Sequence, residues 1–162
     1  MDVHLIGKTN SDWASDLNTW RSTTGYSFTL GSRAISWSSK KHSMVALSST
    51  EVEYRVASSG TCEAVWLCRL LEDFGFPQQQ KTILWCDNQR CLALARNPMF
   101  HAQTKHIEVQ YHFVREKLLD GTILLEYCKT EDNLADLFTK ALPQVVVLGH
   151  SRSLGLVSSP RI

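Results

Sequence analysis

A short apolar run at residues 82–86, with the sequence TILWC, ends abruptly at the polar sequence DNQ. Such a run is typical of a central strand buried on both faces, and the faces of such sheets are covered by helices. Helical patterns stand on both sides of the run, from 48 to about 74 and at 89–96. The chain is therefore expected to form a layered α/β domain.

The residues before this region are rich in strand patterns. Polar and apolar residues alternate over 24–30 and 33–38, and Gly31 and Ser32 between them are a turn signal, so we expect an antiparallel hairpin. The predicted elements, in chain order, are strands at 3–14, 24–30 and 33–38 with an extension at 45–47, a helix at 48–74, a strand at 82–86, helices at 89–96 and 104–119, and a strand at 122–127.

A last helix is predicted from apolar residues spaced as on one buried helix face. The stripe consists of Leu134, Leu137, Phe138, Ala141 and Leu142. Residues 1–143 are interpreted as one domain. Residues 144–162 are interpreted as a C-terminal tail of uncertain structure, in which 145–147 is strand-like and no function is assigned.

Composition limits the function classes. A length of 162 residues suits one domain, and 17 Lys and Arg against 16 Asp and Glu exclude a strongly basic nucleic-acid arm. Five cysteines without a C-x-x-C motif favour neither a disulfide framework nor a zinc site. Neither a membrane span nor a signal peptide is recognisable, so we expect an intracellular protein, cytoplasmic or nuclear, without a membrane partner.

Three acidic residues stand at the starts or ends of predicted elements. Asp87 follows the most apolar strand, where ligand chemistry collects in α/β sheets, although a helix cap is an equal alternative. Glu53 lies three residues after Thr50 and could be a capping-box partner. Asp136 lies opposite the apolar stripe, where a solvated face is the default. If the three meet, a hard cation such as Mg²⁺ is needed to offset their repulsion.

Several strings of residues together resemble the RNase H domain of copia-type LTR retrotransposon polyproteins. The resemblance runs in order from about residue 5 to 143. Its strings are RSTTGY at 21–26, AISWSSKK at 34–41, ALSSTEVEY at 46–54, CDNQ at 86–89, TKHI at 104–107, YHFVREK at 111–117 and TEDNLADLFTK at 130–140.

The resemblance implies an RNase H-like α/β fold, with a five-stranded mixed sheet whose first three strands are antiparallel, flanked by helices. It also implies an endoribonuclease that follows a reverse transcriptase domain and cleaves the RNA strand of RNA–DNA hybrids. Two Mg²⁺ ions, with Mn²⁺ as an alternative, would be held by four carboxylates, and no small-molecule cofactor is expected. Three of these positions fall on Glu53, Asp87 and Asp136.

The fourth position departs from the family pattern. The first catalytic Asp of the family falls on Asn10, and an amide oxygen is neutral and a poorer ligand. Asp12 lies on the same face of the strand about 7 Å further along, so it could substitute only if the strand shifted. We therefore expect weak or absent activity. The alternative is a catalytically inactive module that binds nucleic acid or has a structural role.

Other polar residues are weaker candidates. Ser49, Asn88 and Gln89 are expected to contact the hybrid. Lys40 and Lys41 are either phosphate contacts or a solvated turn. The remaining expectations concern ring side chains: no zinc site at His101, His106 and His112, core positions for Trp13, Trp37, Trp66 and Trp85, and an exposed Trp20.

Overall fold

A computed structural model describes residues 4–13, 20–43, 48–97 and 105–156, and within these residues five strands form one sheet. The strands are β1 (Leu5–Asp12), β2 (Thr23–Leu30), β3 (Arg33–Lys41), β4 (Thr82–Cys86) and β5 (Ile123–Tyr127). They lie in the order β3-β2-β1-β4-β5. The first three pair antiparallel, and β4 runs parallel to β1 and β5. The expected fold class is confirmed.

The first three α-helices of the described residues follow the predicted order. The helices are α1 (Ser49–Asp73), α2 (Gln89–Arg96), α3 (Lys105–Leu119) and α4 (Gln144–Ser153), with short 3₁₀ helices at Thr130–Asp132 and Leu134–Phe138. The core joins the sheet to α1 and α3 through Leu5, Phe28, Leu84 and Leu125 on the strands and Tyr54, Tyr111 and Val114 on the helices. None of the described helices combines the length and apolar character needed to cross a membrane.

The segment after β5 is held closely against β1 and β2. The Asn133 side chain donates to the Thr9 carbonyl oxygen at 2.9 Å. Gly25 of β2 permits the close approach, because a Cβ there would lie 2.8 Å from the Cβ of Phe138. This contact fixes the 3₁₀ helix Leu134–Phe138 over the C-terminal half of β1.

The prediction of an α-helix in this segment is wrong. The chain forms the 3₁₀ helix Leu134–Phe138, and the stripe at 134, 137, 138, 141 and 142 is not its buried side. The Asn133 side chain also accepts from the Ala135 amide at 3.2 Å, which starts a tighter turn. The buried side chains are instead Asn133, Ala135, Asp136 and Thr139.

The chain after 143 is helical at first, so the strand interpretation of 145–147 is wrong. These residues lie in α4, and the residue that caps its C-terminus, Leu154, is only 1% exposed. The Leu154 carbonyl oxygen accepts from the Ala34 amide at 2.9 Å. Tertiary contact at the end of the helix thus anchors a segment whose valines alone favour a strand.

The tryptophans are mostly not core residues. Trp13, Trp37 and Trp66 are 48%, 59% and 55% exposed, so their prediction as core is wrong, while Trp85 is half-buried. The prediction that Trp20 is exposed is confirmed. The strand extension predicted at 45–47 lies outside the described residues.

Candidate active site

The four positions of interest come from four separate elements. Asn10 lies near the end of β1, Glu53 in the first turns of α1, Asp87 directly after β4, and Asp136 in the 3₁₀ helix Leu134–Phe138. Because β1 and β4 are parallel neighbours, their carboxyl ends meet at one edge of the sheet. This edge is where ligand sites form in α/β folds.

The start of α1 leaves Glu53 free of a capping role. Ser48 is the N-cap, and its hydroxyl accepts from the Glu51 amide at 3.2 Å. The acidic residue three positions after the cap is therefore Glu51, and Thr50 with Glu53 does not form the capping box. The capping alternative for Glu53 is wrong, so its burial needs another explanation.

The start of α2 likewise leaves Asp87 free. The Asn88 side-chain oxygen accepts from the amides of Arg90 and Cys91 at 2.9 and 3.2 Å. Asn88 therefore caps the helix, and the capping alternative for Asp87 is wrong. Burial raises the pKa of Asp87 and the charge of Asp136 raises it further, while the Thr130 hydroxyl lowers it.

Glu53 is a buried carboxylate with an incomplete set of partners. Its side chain is 7% exposed, and Oε1 accepts from the Ser11 hydroxyl at 2.5 Å. Oε2 is buried without a hydrogen-bond partner. Burial raises the pKa of Glu53 to about 7, opposed by the Ser11 hydroxyl and assisted by the charge of Asp87. Interaction with the Asn88 side-chain amide also lowers this pKa.

Asp136 is equally buried, but both of its oxygens have partners. Oδ1 accepts from the Asn10 side-chain amide, which also donates to the Thr139 hydroxyl at 2.9 Å. Oδ2 lies 2.9 Å from the Lys140 ammonium nitrogen. An amide oxygen facing the carboxylate would be repelled, so the nitrogen orientation is the one the chemistry requires. The solvated-face alternative for Asp136 is wrong, since it is 4% exposed.

The acidic side chains do not form a ready-made metal site. Among the described residues, no three His, Cys, Asp or Glu side chains group closely enough to hold an ion. The site consists of the pair Ser11 and Glu53, the pair Asn10 and Asp136, and Asp87, whose pKa responds to the charge on Asp136.

The substitute considered for the first position, Asp12, is half-buried at the end of β1. Its backbone is paired with Thr23 of β2, in the regular register of the two strands. The described part of β1 therefore has no displacement that would bring Asp12 into the position of Asn10.

The proposed nucleic-acid contacts lie around this edge. Gln89 is exposed at the start of α2, and Ser49 is half-buried at the start of α1. Lys40 and Lys41 are exposed, as expected for a solvated pair, but they lie in β3 and not in a turn. Asn88 uses its side-chain oxygen to cap α2, which leaves only its amide nitrogen to reach a ligand.

The histidine triplet is only partly described. His101 lies outside the described residues, as does the side chain of His106. His112 has a side chain 69% exposed, and its nearest acidic partner is Glu108 at 3.8 Å. This surface contact gives no support to a zinc site.

The chain is similar to short segments of much longer proteins. No protein-family model matches it. It is 40% identical over 158 residues to the retrovirus-related Pol polyprotein from transposon RE2 of Arabidopsis thaliana, covering 98% of this chain and 11% of that protein. It is 42% identical over 143 residues to the Pol polyprotein from transposon TNT 1-94 of Nicotiana tabacum, covering 88% and 11%. The chain thus spans 11% of the length of these relatives.

Solved structures resemble the fold. The N-terminal RNase H domain of a Mycobacterium tuberculosis protein aligns with a TM-score of 0.60 at 14% identity, covering 85% of this chain and 96% of that one. The LC11 RNase H1 in complex with an RNA/DNA hybrid aligns with a TM-score of 0.58 at 10% identity, covering 83% and 93%. The chain has the RNase H fold and is related over most of its length to a segment of retrotransposon Pol polyproteins.

Three residues of this RNase H-like domain were not predicted as part of the site. Ser11 and Thr139 donate to or accept from site side chains, and Lys140 pairs with Asp136. The spacing of Lys140, four residues after Asp136, is a visible charge-pair signal. The contacts of Ser11 and Thr139 depend on which side of β1 each element lies, which no local pattern reveals.

Proposed function

We propose that this RNase H domain hydrolyses the RNA strand of RNA–DNA hybrids, as one part of a Pol polyprotein whose reverse transcriptase precedes it. The observation that carries the proposal is Glu53, a buried carboxylate with an unpartnered oxygen, whose pKa is raised in part by Asp87. Uncompensated buried carboxylates are costly, so their retention at the ligand edge of this fold indicates a function.

A divalent cation, which we propose to be Mg²⁺, fits this part of the site. Glu53 and Asp87 would hold it, because both carboxylates are oxygen donors whose pKa values are raised by burial and by neighbouring negative charge. When bound, such a cation activates a water nucleophile and stabilises the charge that develops on the phosphodiester. The protein orients Glu53 through the Ser11 hydroxyl at 2.5 Å.

Asn10 weakens the other half of the expected two-ion site. Its amide is neutral, and its nitrogen faces Asp136. Changes in the shell around a metal typically reduce affinity or activity about 10–100-fold, so loss of a ligand should reduce the rate by at least about tenfold. We therefore propose a slow enzyme.

Support for a hybrid as the substrate comes from the relatives and from the surface around the site. A structural neighbour holds an RNA/DNA hybrid. The exposed Lys40 and Lys41 on β3 supply positive charge for phosphate contact, and Gln89 is exposed beside Asp87. We propose that these residues position the hybrid. We place the activity in the cytoplasm or nucleus, because unpaired cysteines suit a reducing compartment.

A second candidate function is a nucleic-acid-binding module without catalysis. It is favoured by Asp136, whose two oxygens are already engaged by Asn10 and Lys140. A carboxylate satisfied in this way has less reason to bind a cation. The two candidates share the hybrid as ligand and differ only in hydrolysis.

The test is Mg²⁺-dependent cleavage of a hybrid carrying a label on each strand, with the full chain. We expect cleavage of the RNA strand alone, leaving a 5′-phosphate and a 3′-hydroxyl. Asp87→Asn should reduce the rate about 100-fold, as expected for loss of a ligand. Glu131→Gln, at a side chain 76% exposed on the same edge, removes the same charge and should leave the rate unchanged.

Two results contradict the proposed activity. If the hybrid binds but the RNA strand remains intact, the chain is the binding module. If Asp87→Asn and Glu131→Gln have equal rates, hydrolysis does not depend on the proposed site.

A further inference from the structure

We propose that, without nucleic acid, this site holds one divalent ion on Glu53 and Asp87, and that the Lys140 ammonium takes the electrostatic place of a second ion at Asp136. The inference rests on the proposed function in taking a divalent cation as the ligand of the site. It departs from the two-ion site that the resemblance implies.

The first observation concerns Asp136. Its Oδ2 is 2.9 Å from the Lys140 nitrogen, and its Oδ1 accepts from the Asn10 amide. An ion at Asp136 would have to displace an ammonium and an amide donor that are already in place. Because the ammonium carries a full positive charge within contact distance, it compensates the buried carboxylate as a cation would.

The second observation concerns Glu53. Its Oε2 is buried and unpartnered, in a residue 7% exposed. A buried polar atom without a partner loses its hydration and gains nothing in return. Unlike Asp136, this carboxylate has no cation of the protein within salt-bridge distance among the described residues. An external ion therefore gains more at Glu53 than at Asp136.

The partners of Asp136 and of Glu53 on β1 lie on opposite faces of the sheet. Asn10 and Ser11 are consecutive in β1, so their side chains point to opposite faces of the sheet. Asn10 contacts the 3₁₀ helix Leu134–Phe138 and Ser11 contacts α1. The substitution at position 10 therefore affects Asp136 directly and leaves the partner of Glu53 in place.

The test counts bound Mn²⁺ by the loss of its free paramagnetic resonance signal, with the full chain and no nucleic acid, and Mg²⁺ as competitor. We expect one Mn²⁺ for each chain. Glu53→Gln should weaken its binding at least about tenfold. Asp136→Asn should retain one ion with affinity within about threefold of the unmodified chain, since Asp136 is not a ligand in this state.

Removing the protein partners of Asp136 should allow a second ion to bind there. The double variant Asn10→Asp with Lys140→Gln frees both oxygens and supplies a carboxylate, so it should bind two Mn²⁺. Asn10→Asp with Lys129→Gln is the matched control, because Lys129 is 71% exposed and 3.8 Å from Glu131, and it should bind fewer than two. Circular dichroism establishes that each variant is folded.

Two ions on the unmodified chain, no bound ion at millimolar Mn²⁺, or equal weakening by Glu53→Gln and Asp136→Asn would overturn the inference. The count is independent of hydrolysis. A chain that binds one ion without nucleic acid and cleaves no hybrid overturns the proposed function alone. A chain that binds two ions without nucleic acid and cleaves hybrid overturns the inference alone.

Discussion

Glu53 and Asp136 are two carboxylates of one site, buried to nearly the same degree, at 7% and 4% exposed. Their surroundings are opposite. Asp136 accepts from the Asn10 amide and pairs with the Lys140 ammonium, so both of its oxygens have partners. Glu53 accepts from the Ser11 hydroxyl at one oxygen, and its other oxygen has no hydrogen-bond partner. The difference shows that burial alone does not determine the electrostatics of a carboxylate, because the partners that accompany it determine whether its charge is compensated.

The alternation of β1 produces this difference. Adjacent residues of a strand face opposite sides, so Asn10 serves Asp136 and Ser11 serves Glu53. We call Asp136 with Asn10 and Lys140 the closed half of the site, because both carboxylate oxygens have protein partners. Glu53 with Ser11 is the open half, because Oε2 has no hydrogen-bond partner.

The largest expected effect is on pH-dependent stability without metal. The pKa of Glu53 is raised to about 7, so the folded state keeps a proton that the unfolded chain releases near pH 4.5. The contribution of Glu53 to stability should be full below about pH 4.5 and be lost as pH rises to about 7, a decrease of at most about 3 kcal/mol. Asp87, whose pKa is also raised, contributes in the same direction.

Urea unfolding between pH 5 and 8 measures this slope. Glu53→Gln should remove most of it and stabilise the chain at pH 8, whereas Glu131→Gln should leave it unchanged. A slope that Glu53→Gln does not alter would place the titrating group elsewhere.

The next effect concerns the closed half. Asp136→Asn leaves the Lys140 ammonium without its partner and puts an amide opposite the Asn10 amide. Because Lys140 is 34% exposed, the expected loss is below that of a fully buried pair, about 2 kcal/mol at pH 8. Urea unfolding at that pH should thus show opposite signs for the same chemical change at 53 and at 136. Equal signs would remove the distinction between the halves.

The smallest effect concerns the hydroxyl of the open half. Ser11→Ala removes the donor to Glu53, so the pKa of Glu53 should rise and stability at pH 8 should fall by about 1 kcal/mol. Ser59→Ala, whose hydroxyl donates to the Arg55 carbonyl at 3.0 Å on an exposed helix face, is the matched control. If Ser11→Ala changes stability at pH 8 no more than Ser59→Ala, the hydroxyl does not support the ionised carboxylate.

Much of the fold follows from local patterns. The strand at 82–86 and the helix at 89–96 have the predicted ends, because the apolar run and its polar boundaries determine both. The edge strand is less predictable. Ser36 donates to Glu63 of α1 at 2.5 Å, so its neighbour Trp37 faces away from that helix and is exposed. Alternation alone does not indicate which face is covered.

The site is less predictable still. Asn10 and Asp136 are 126 residues apart in the sequence. The burial of Asp136 depends on a 3₁₀ helix, in a segment whose apolar spacing predicts an α-helix instead. The resemblance supplied the positions of the acids. Their partners Ser11, Thr139 and Lys140 come from tertiary contacts that neither the spacing nor the resemblance had assigned.

The most direct test is the rate of Mg²⁺-dependent cleavage of an RNA–DNA hybrid by the unmodified chain and by Asn10→Asp. If the amide at position 10 limits the site, the variant should cleave the RNA strand faster by about tenfold or more. Equal rates in the two chains would contradict this, and would mean that position 10 is not the missing ligand or that Asp12 supplies it.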